Sequence, residues 1–167
     1  MTDNELILKK LKEVSFFKVI ASDEDMIRKI STFCTTKSFG AGKSIIEEGE
    51  QGQELFIILN GEIEILKKTL QNEKYTVATL SSAMGGIFVG ELALIDDDKR
   101  SASVVAKNNC ECLVIKRGDF VKFGNENPQA GLAITRDLAK QLSGKLRKAN
   151  TDVITLFSAL VDEIDQG

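Results

Sequence analysis

The chain contains no histidine. That absence removes the usual general base, and with it Ser–His and Cys–His nucleophilic catalysis. It also removes the commonest nitrogen ligand of zinc, and the only cysteines, Cys34, Cys110 and Cys112, are too scattered to make a metal site alone. Three cysteines are an odd set, and nothing marks an oxidising compartment, so they are expected as reduced thiols. Cys110 and Cys112 would share one face of a strand. Lysine and carboxylate chemistry survive this filter, but no paired-acid spacing stands out, and no enzyme is expected. Charge of one sign is lacking as well. Lys+Arg 22 against Asp+Glu 25 leaves a net charge of −3, without the basic footprint of a nucleic-acid partner. No run is long and apolar enough to cross a bilayer. Met1-Thr2-Asp3-Asn4-Glu5 has no basic stretch before an apolar block, as a secretory signal requires. The expectation is a cytoplasmic protein, with neither nucleic acid nor membrane as partner and no metal.

What is present fits one domain with a real core. The chain has 167 residues, 43% hydrophobic and 28% charged. Leu6 to Val14 reads as a short amphipathic helix, followed by Phe16-Phe17 as an apolar anchor. Ser22 reads as the cap of a second helix, with Asp23, Glu24 and Asp25 in its first turn. Glycines then punctuate short β-rich runs: Ser44–Glu47, Leu55–Leu59, Glu62–Leu66, Tyr75–Leu80, Ser103–Ala106 and Cys112–Ile115. Asn60-Gly61 is a tight-turn signal between two of them. Many short strands with glycine turns imply a sandwich or barrel. Gly118 to Phe123 reads as another short helix, and Asn127-Pro128 as a cap with proline at the first helical position. A long helix follows, with Leu138, Leu142, Leu146, Ala149, Val153, Leu156, Leu160 and Ile164 at intervals of three or four. Gly144 and Asn150-Thr151-Asp152 are places where it would bend or restart.

The richest stretch is Phe88-Val89-Gly90-Glu91-Leu92-Ala93-Leu94, closed by Arg100-Ser101-Ala102-Ser103-Val104. A glycine opens a short turn of helix, whose free N–H groups make an anion site. An arginine beside it can fork onto a phosphate. A glutamate there repels phosphate, so it needs a neutral donor such as a sugar hydroxyl. An anion and a diol in one short segment describe a ribose phosphate. The bland alternatives stay open: Arg100 as a solvated residue or a partner of Asp96, Asp97 or Asp98, Glu91 as an acid that favours the helix start, and Ser101 as a strand-edge serine.

At these residues the chain resembles the phosphate-binding cassette of cyclic nucleotide-binding domains. Lys43-Ser44-Ile45-Ile46-Glu47-Glu48-Gly49-Glu50 and Glu54-Leu55-Phe56-Ile57-Ile58-Leu59-Asn60-Gly61-Glu62-Ile63 are similar to that family's early strand pair and its glycine turns. The resemblance spans roughly residues 37 to 120. It implies an α+β fold: an antiparallel β jelly-roll barrel or sandwich flanked by N-terminal helices and a long C-terminal helix. It implies a single domain over 1–167, with a helical segment at 1–36, the β-barrel at 37–117 holding the cassette 88–104, and C-terminal helices at 118–167. A stand-alone domain without a DNA-binding domain is expected.

The resemblance also implies a ligand: a cyclic purine nucleotide, cAMP ahead of cGMP, held by Val89, Gly90, Glu91, Leu92, Ala93, Arg100, Ser101 and Ala102. Arg100 would take the phosphate, Glu91 the ribose 2′-hydroxyl, and the amides of Leu92 and Ala93 would face the phosphate, with the Leu92 and Leu94 side chains packed inward. Ser101 does not settle the base. Asp96-Asp97-Asp98-Lys99 departs from the neutral loop of many members, and three acids beside a phosphate would weaken its binding unless they face solvent. The final helix is expected to move on binding, with Gln141 or Lys145 touching the purine, and to join two copies as a homodimer through Leu142, Leu146, Ala149, Val153, Leu156 and Leu160. The protein partner that receives the signal is unidentified. The competing expectation is a ligand-free scaffold that retains the fold.

Overall fold

The structure is a computed structural model, and it describes residues 3–165. Strand β3 (Glu54–Asn60) explains the architecture. Its run Leu55-Phe56-Ile57-Ile58-Leu59 is buried at every position, so both faces are covered. The alternate residues Leu55, Ile57 and Leu59 pack against helices, and Phe56 and Ile58 pack against a second sheet. Strand β8 (Cys110–Lys116) divides the same way, with Leu113 and Ile115 towards the helices and Cys110, Cys112 and Val114 between the sheets. A helical layer and a two-sheet sandwich thus share β3 and β8.

The other strands are β1 (Thr35–Phe39), β2 (Ser44–Ile46), β4 (Glu62–Lys68), β5 (Lys74–Ser81), β6 (Phe88–Val89) and β7 (Ser103–Ala106). One sheet has the order β1-β8-β3-β6 and the other β2-β7-β4-β5, with every pair antiparallel. No ladder joins the two sheets, so they form an open sandwich and not a closed barrel. The Asn60-Gly61 turn is present, with Gly61 at φ 101°. It does not close a hairpin, however. It carries the chain from one sheet to the other, since β3 pairs with β8 and β6 while β4 pairs with β5 and β7.

Helix α1 (Asp3–Glu13), a 3-10 turn at Ser15–Ile20 and α2 (Glu24–Thr32) precede the sandwich. Phe16 and Phe17 are fully buried edge to face, at 4.6 Å between ring centres. Asp23 caps α2 by accepting from the Met26 N–H, so the cap falls one residue after Ser22. The end of α1 also shapes the approach to β6: the Gly86 N–H donates to Glu13 Oε2 at 3.2 Å, and Lys10 Nζ donates to the Ser82 carbonyl at 3.1 Å.

Helix α3 (Arg117–Glu126) and α4 (Pro128–Asp165) close the chain. The Asn127 side chain serves α3, donating to the Phe123 carbonyl, while its own carbonyl receives the Gly131 N–H that starts α4. Over 38 residues α4 is one continuous helix through Gly144 and Asn150-Thr151-Asp152, so it does not restart there. Ile134 and Leu138 are buried against the domain and Leu142 partly so. From Leu146 onward the apolar stripe faces outward, at 62% exposure for Leu146, 64% for Val153 and 71% for Leu156. Among the described residues, no helix is long and apolar enough to cross a membrane.

Candidate functional site

The segment 88–104 is pinned at both ends. At its start β6 adds to the edge of β3, with Val89 opposite Phe56 and Phe88 opposite Ile57. At its end the Gly49 N–H donates to the Arg100 carbonyl and the Arg100 N–H donates to the Glu50 carbonyl, both at 2.9 Å, before β7 begins at Ser103. Ser103 is buried and satisfied: its hydroxyl accepts from the Glu48 N–H and donates to Glu47. It belongs to the strand.

Between these pins Gly90 takes the left-handed backbone, φ 83° and ψ 24°, which turns the chain into a single 3-10 turn at Glu91–Leu94. Four residues make no substantial helix dipole, and the Ala93 N–H is already spent on the Gly90 carbonyl at 3.1 Å. Leu94 packs inward as expected, but Leu92 is 41% exposed and does not.

The eight residues expected from the sequence come together around one cavity of about 380 Å³. Ile46, Ile65, Leu80, Phe88 and Val104 add an apolar wall. Only sheet pairing could reveal that wall, because its members lie on five different strands. Wider concavities exist elsewhere, one of about 570 Å³ between α3 and α4, but they hold none of the expected groups. Size does not single out the site; its residues do.

Arg100 is half buried. Its Nη2 donates to the Glu54 carbonyl at 2.8 Å and its Nη1 to the Gly90 carbonyl at 3.5 Å. Burial pulls the guanidinium below its ordinary pKa, and the Glu54 carboxylate opposes that shift. It does not pair with the three neighbouring acids. Asp97 binds Arg117 and Gln53, and the Arg117 guanidinium holds its carboxyl below the usual range. Asp96 accepts from the Asp98 N–H and Asp98 from the Lys99 N–H. All three acids are exposed.

Glu91 lines the same cavity and holds an ion pair with Lys145 of α4. Lys145 thus lines the cavity. Gln141 does not: it accepts from Ser15 and donates to Asp137, facing the domain on another side of α4. No described group of histidine, cysteine or acid side chains could hold a metal ion. The cysteines are free thiols, and burial pushes the thiols of Cys34 and Cys112 up to about 12.

An open antiparallel sandwich, a left-handed glycine leading into a short turn, and an arginine and an acid lining one cavity define a class of small-ligand-binding domains. The comparisons make it specific. The family model of the cyclic nucleotide-binding domain matches residues 36–127, and the chain belongs to that family. It is 32% identical over 143 residues to cGMP-dependent protein kinase 2 of Homo sapiens, covering 85% of this chain and 17% of the kinase. It is 30% identical over 112 residues to the cyclic AMP receptor protein of Thermus thermophilus, covering 67% of this chain and 49% of that protein. The crystal structure of the Thermus thermophilus catabolite activator protein superposes with a TM-score of 0.69 at 26% identity, covering 79% of this chain and 59% of that one. The chain therefore spans half or less of the length of these curated relatives. It is a cyclic nucleotide-binding regulatory domain.

Proposed function

We propose that this domain binds a cyclic purine nucleotide in the cassette cavity, cAMP ahead of cGMP, and reports it through α4. The observation that carries this is the convergence of Arg100 and Glu91 on one apolar-walled cavity. Arg100 matches the two exocyclic oxygens of a cyclic phosphate with paired N–H donors, at about 1.5–3 kcal/mol for charge-assisted bonds. Glu91 accepts from the ribose 2′-hydroxyl, and Gly90 allows close approach of the backbone. Val89, Leu92, Ala93, Ser101 and Ala102 complete the contact surface, with Ser101 offering a hydroxyl. The wall of Ile46, Ile65, Leu80, Phe88 and Val104 receives the purine. It asks less desolvation of adenine than of the more polar guanine edge, which supports the cAMP order.

The ribose hydroxyl competes with Lys145 for Glu91, so binding frees α4 from the cassette. The signal is a shift between two helix positions, bounded by the ligand's preference between them. The outward stripe of α4 supports a homodimer, by burying apolar surface that one copy leaves in water. The chain acts in the cytoplasm as a non-catalytic sensor. Equilibrium titration with fluorescent cAMP and cGMP analogues, wild type beside Arg100→Ala, tests the reading. Saturable binding that Arg100→Ala weakens by about tenfold or more is expected. A folded wild type that binds neither nucleotide overturns it.

A further inference from the structure

Gly42, Gly49, Gly61, Gly85, Gly86 and Gly90 all have positive φ, and a left-handed backbone accounts for them. Gly52 does not: its φ lies outside the left-handed range. What distinguishes it is space. A Cβ built on Gly52 would come within 2.6 Å of both Nε and Nη2 of Arg100 and 2.9 Å of Cζ. On the other side, a Cβ on Gly90 would lie 2.6 Å from Nη1. The guanidinium sits in a slot walled by two glycines.

The segment around Gly52 also holds Arg100 by its main chain. Gly49 and Glu50 bond the backbone of Arg100 on both sides, Gln51 bridges to Lys99, and the Glu54 carbonyl receives Nη2. One short loop, far from the cassette in sequence, thus fixes where Arg100 starts and where its charge ends. We propose that Gly52 is a positioning residue of the anion site, whose missing side chain keeps open the place from which Arg100 reaches the cavity. This rests on the reading of Arg100 as the phosphate partner. No left-handed φ bars alanine at Gly52, and the atoms it would meet are the far end of a flexible side chain. The guanidinium therefore moves and the fold stays. A fork displaced from the Glu54 carbonyl meets the phosphate oxygens at the wrong angle, and charge-assisted bonds weaken steeply with misalignment.

The test uses the full chain with Gly52→Ala, Arg100→Ala and the double variant, read by fluorescent cAMP titration, thermal unfolding, and the NMR resonance of the Arg100 Nε–H. Gly52→Ala is expected to lower cAMP affinity about tenfold or more, by loss of one charge-assisted bond, with the apo unfolding midpoint nearly unchanged. In the Arg100→Ala background the same substitution should cost nothing further, because the group it displaces is gone. Wild-type affinity for Gly52→Ala, or an equal loss in both backgrounds, overturns the proposal. The Arg100 Nε–H resonance should shift in apo Gly52→Ala. An unmoved resonance overturns the positioning claim whether or not the wild type binds a nucleotide, which separates its failure from that of the binding reading. If Gly52→Ala fails to fold, the double variant decides: recovery of folding supports the slot, and its absence places the role in the backbone.

Discussion

The ammonium of Lys145, on the long C-terminal helix, rests on the Glu91 carboxylate of the cassette. Lys145 is 62% exposed at its side chain and Glu91 only 15%, so the acid is fixed and the lysine reaches to it. An exposed partner limits such a pair to under about 1 kcal/mol. The contact is weak enough for a ligand to break.

Lys145→Ala is therefore expected to tighten nucleotide binding, by up to about fivefold on that ceiling. It should also shrink the nucleotide-dependent change in hydrogen exchange across residues 132 to 160, since α4 is released beforehand. Weaker binding by Lys145→Ala would mean that the lysine assists the ligand and does not compete with it. Identical exchange in wild type with and without nucleotide would remove the helix signal.

Arg100→Lys keeps the charge and loses the fork. The Glu54 and Gly90 carbonyls that orient the guanidinium cannot orient a single ammonium in the same way. Affinity should drop by about tenfold or more, with little change in stability. Glu91→Gln should be milder, because an amide oxygen still accepts from a ribose hydroxyl. Calorimetry on both variants checks the order, and an unchanged Arg100→Lys would put the phosphate elsewhere.

The seam of α4 predicts an oligomer. Leu146→Asp with Val153→Asp changes two exposed positions and should leave the fold intact. Sedimentation is expected to give a dimer for wild type and a monomer for the double variant. A monomeric wild type would show that the stripe does not join two copies.

The thiols set an alkaline limit. Cys34 and Cys112 stay protonated in the folded state up to about 12, whereas unfolded cysteine ionises near pH ~8.5. Above ~8.5 the unfolded chain binds fewer protons than the folded one, so stability falls as pH rises. The decline should begin near pH ~8.5 and continue towards 12, with a flat curve through neutrality from these groups. Urea unfolding from pH 7 to 10 checks it. Cys34 and Cys112 should also resist alkylation in the native protein and react once it is unfolded.

The sequence alone determined the short-range features. Apolar periodicity marked the helices, β-branched runs marked most strands, and the glycine–acid–arginine spacing marked the cassette, because each depends on neighbours within a few residues. It missed β1, Thr35-Thr36-Lys37-Ser38-Phe39, whose mostly exposed side chains carry no apolar alternation. It missed β6, which is only two residues long and is a strand because β3 offers it an edge. It placed Leu92 inward and could not choose between Gln141 and Lys145 on the final helix, since spacing gives a helical face but not what that face meets.

Only the tertiary structure decided the rest, and the reason is distance along the chain. The Gly52–Arg100 slot, the Lys145–Glu91 pair and the five-strand apolar wall join residues that lie far apart in sequence. Of the acids at 96–98, Arg117 and Gln53 draw Asp97 away, while Asp96 and Asp98 line the cavity together with Lys99. Composition could say that an arginine was present. The fold decided what stands beside it and where it points.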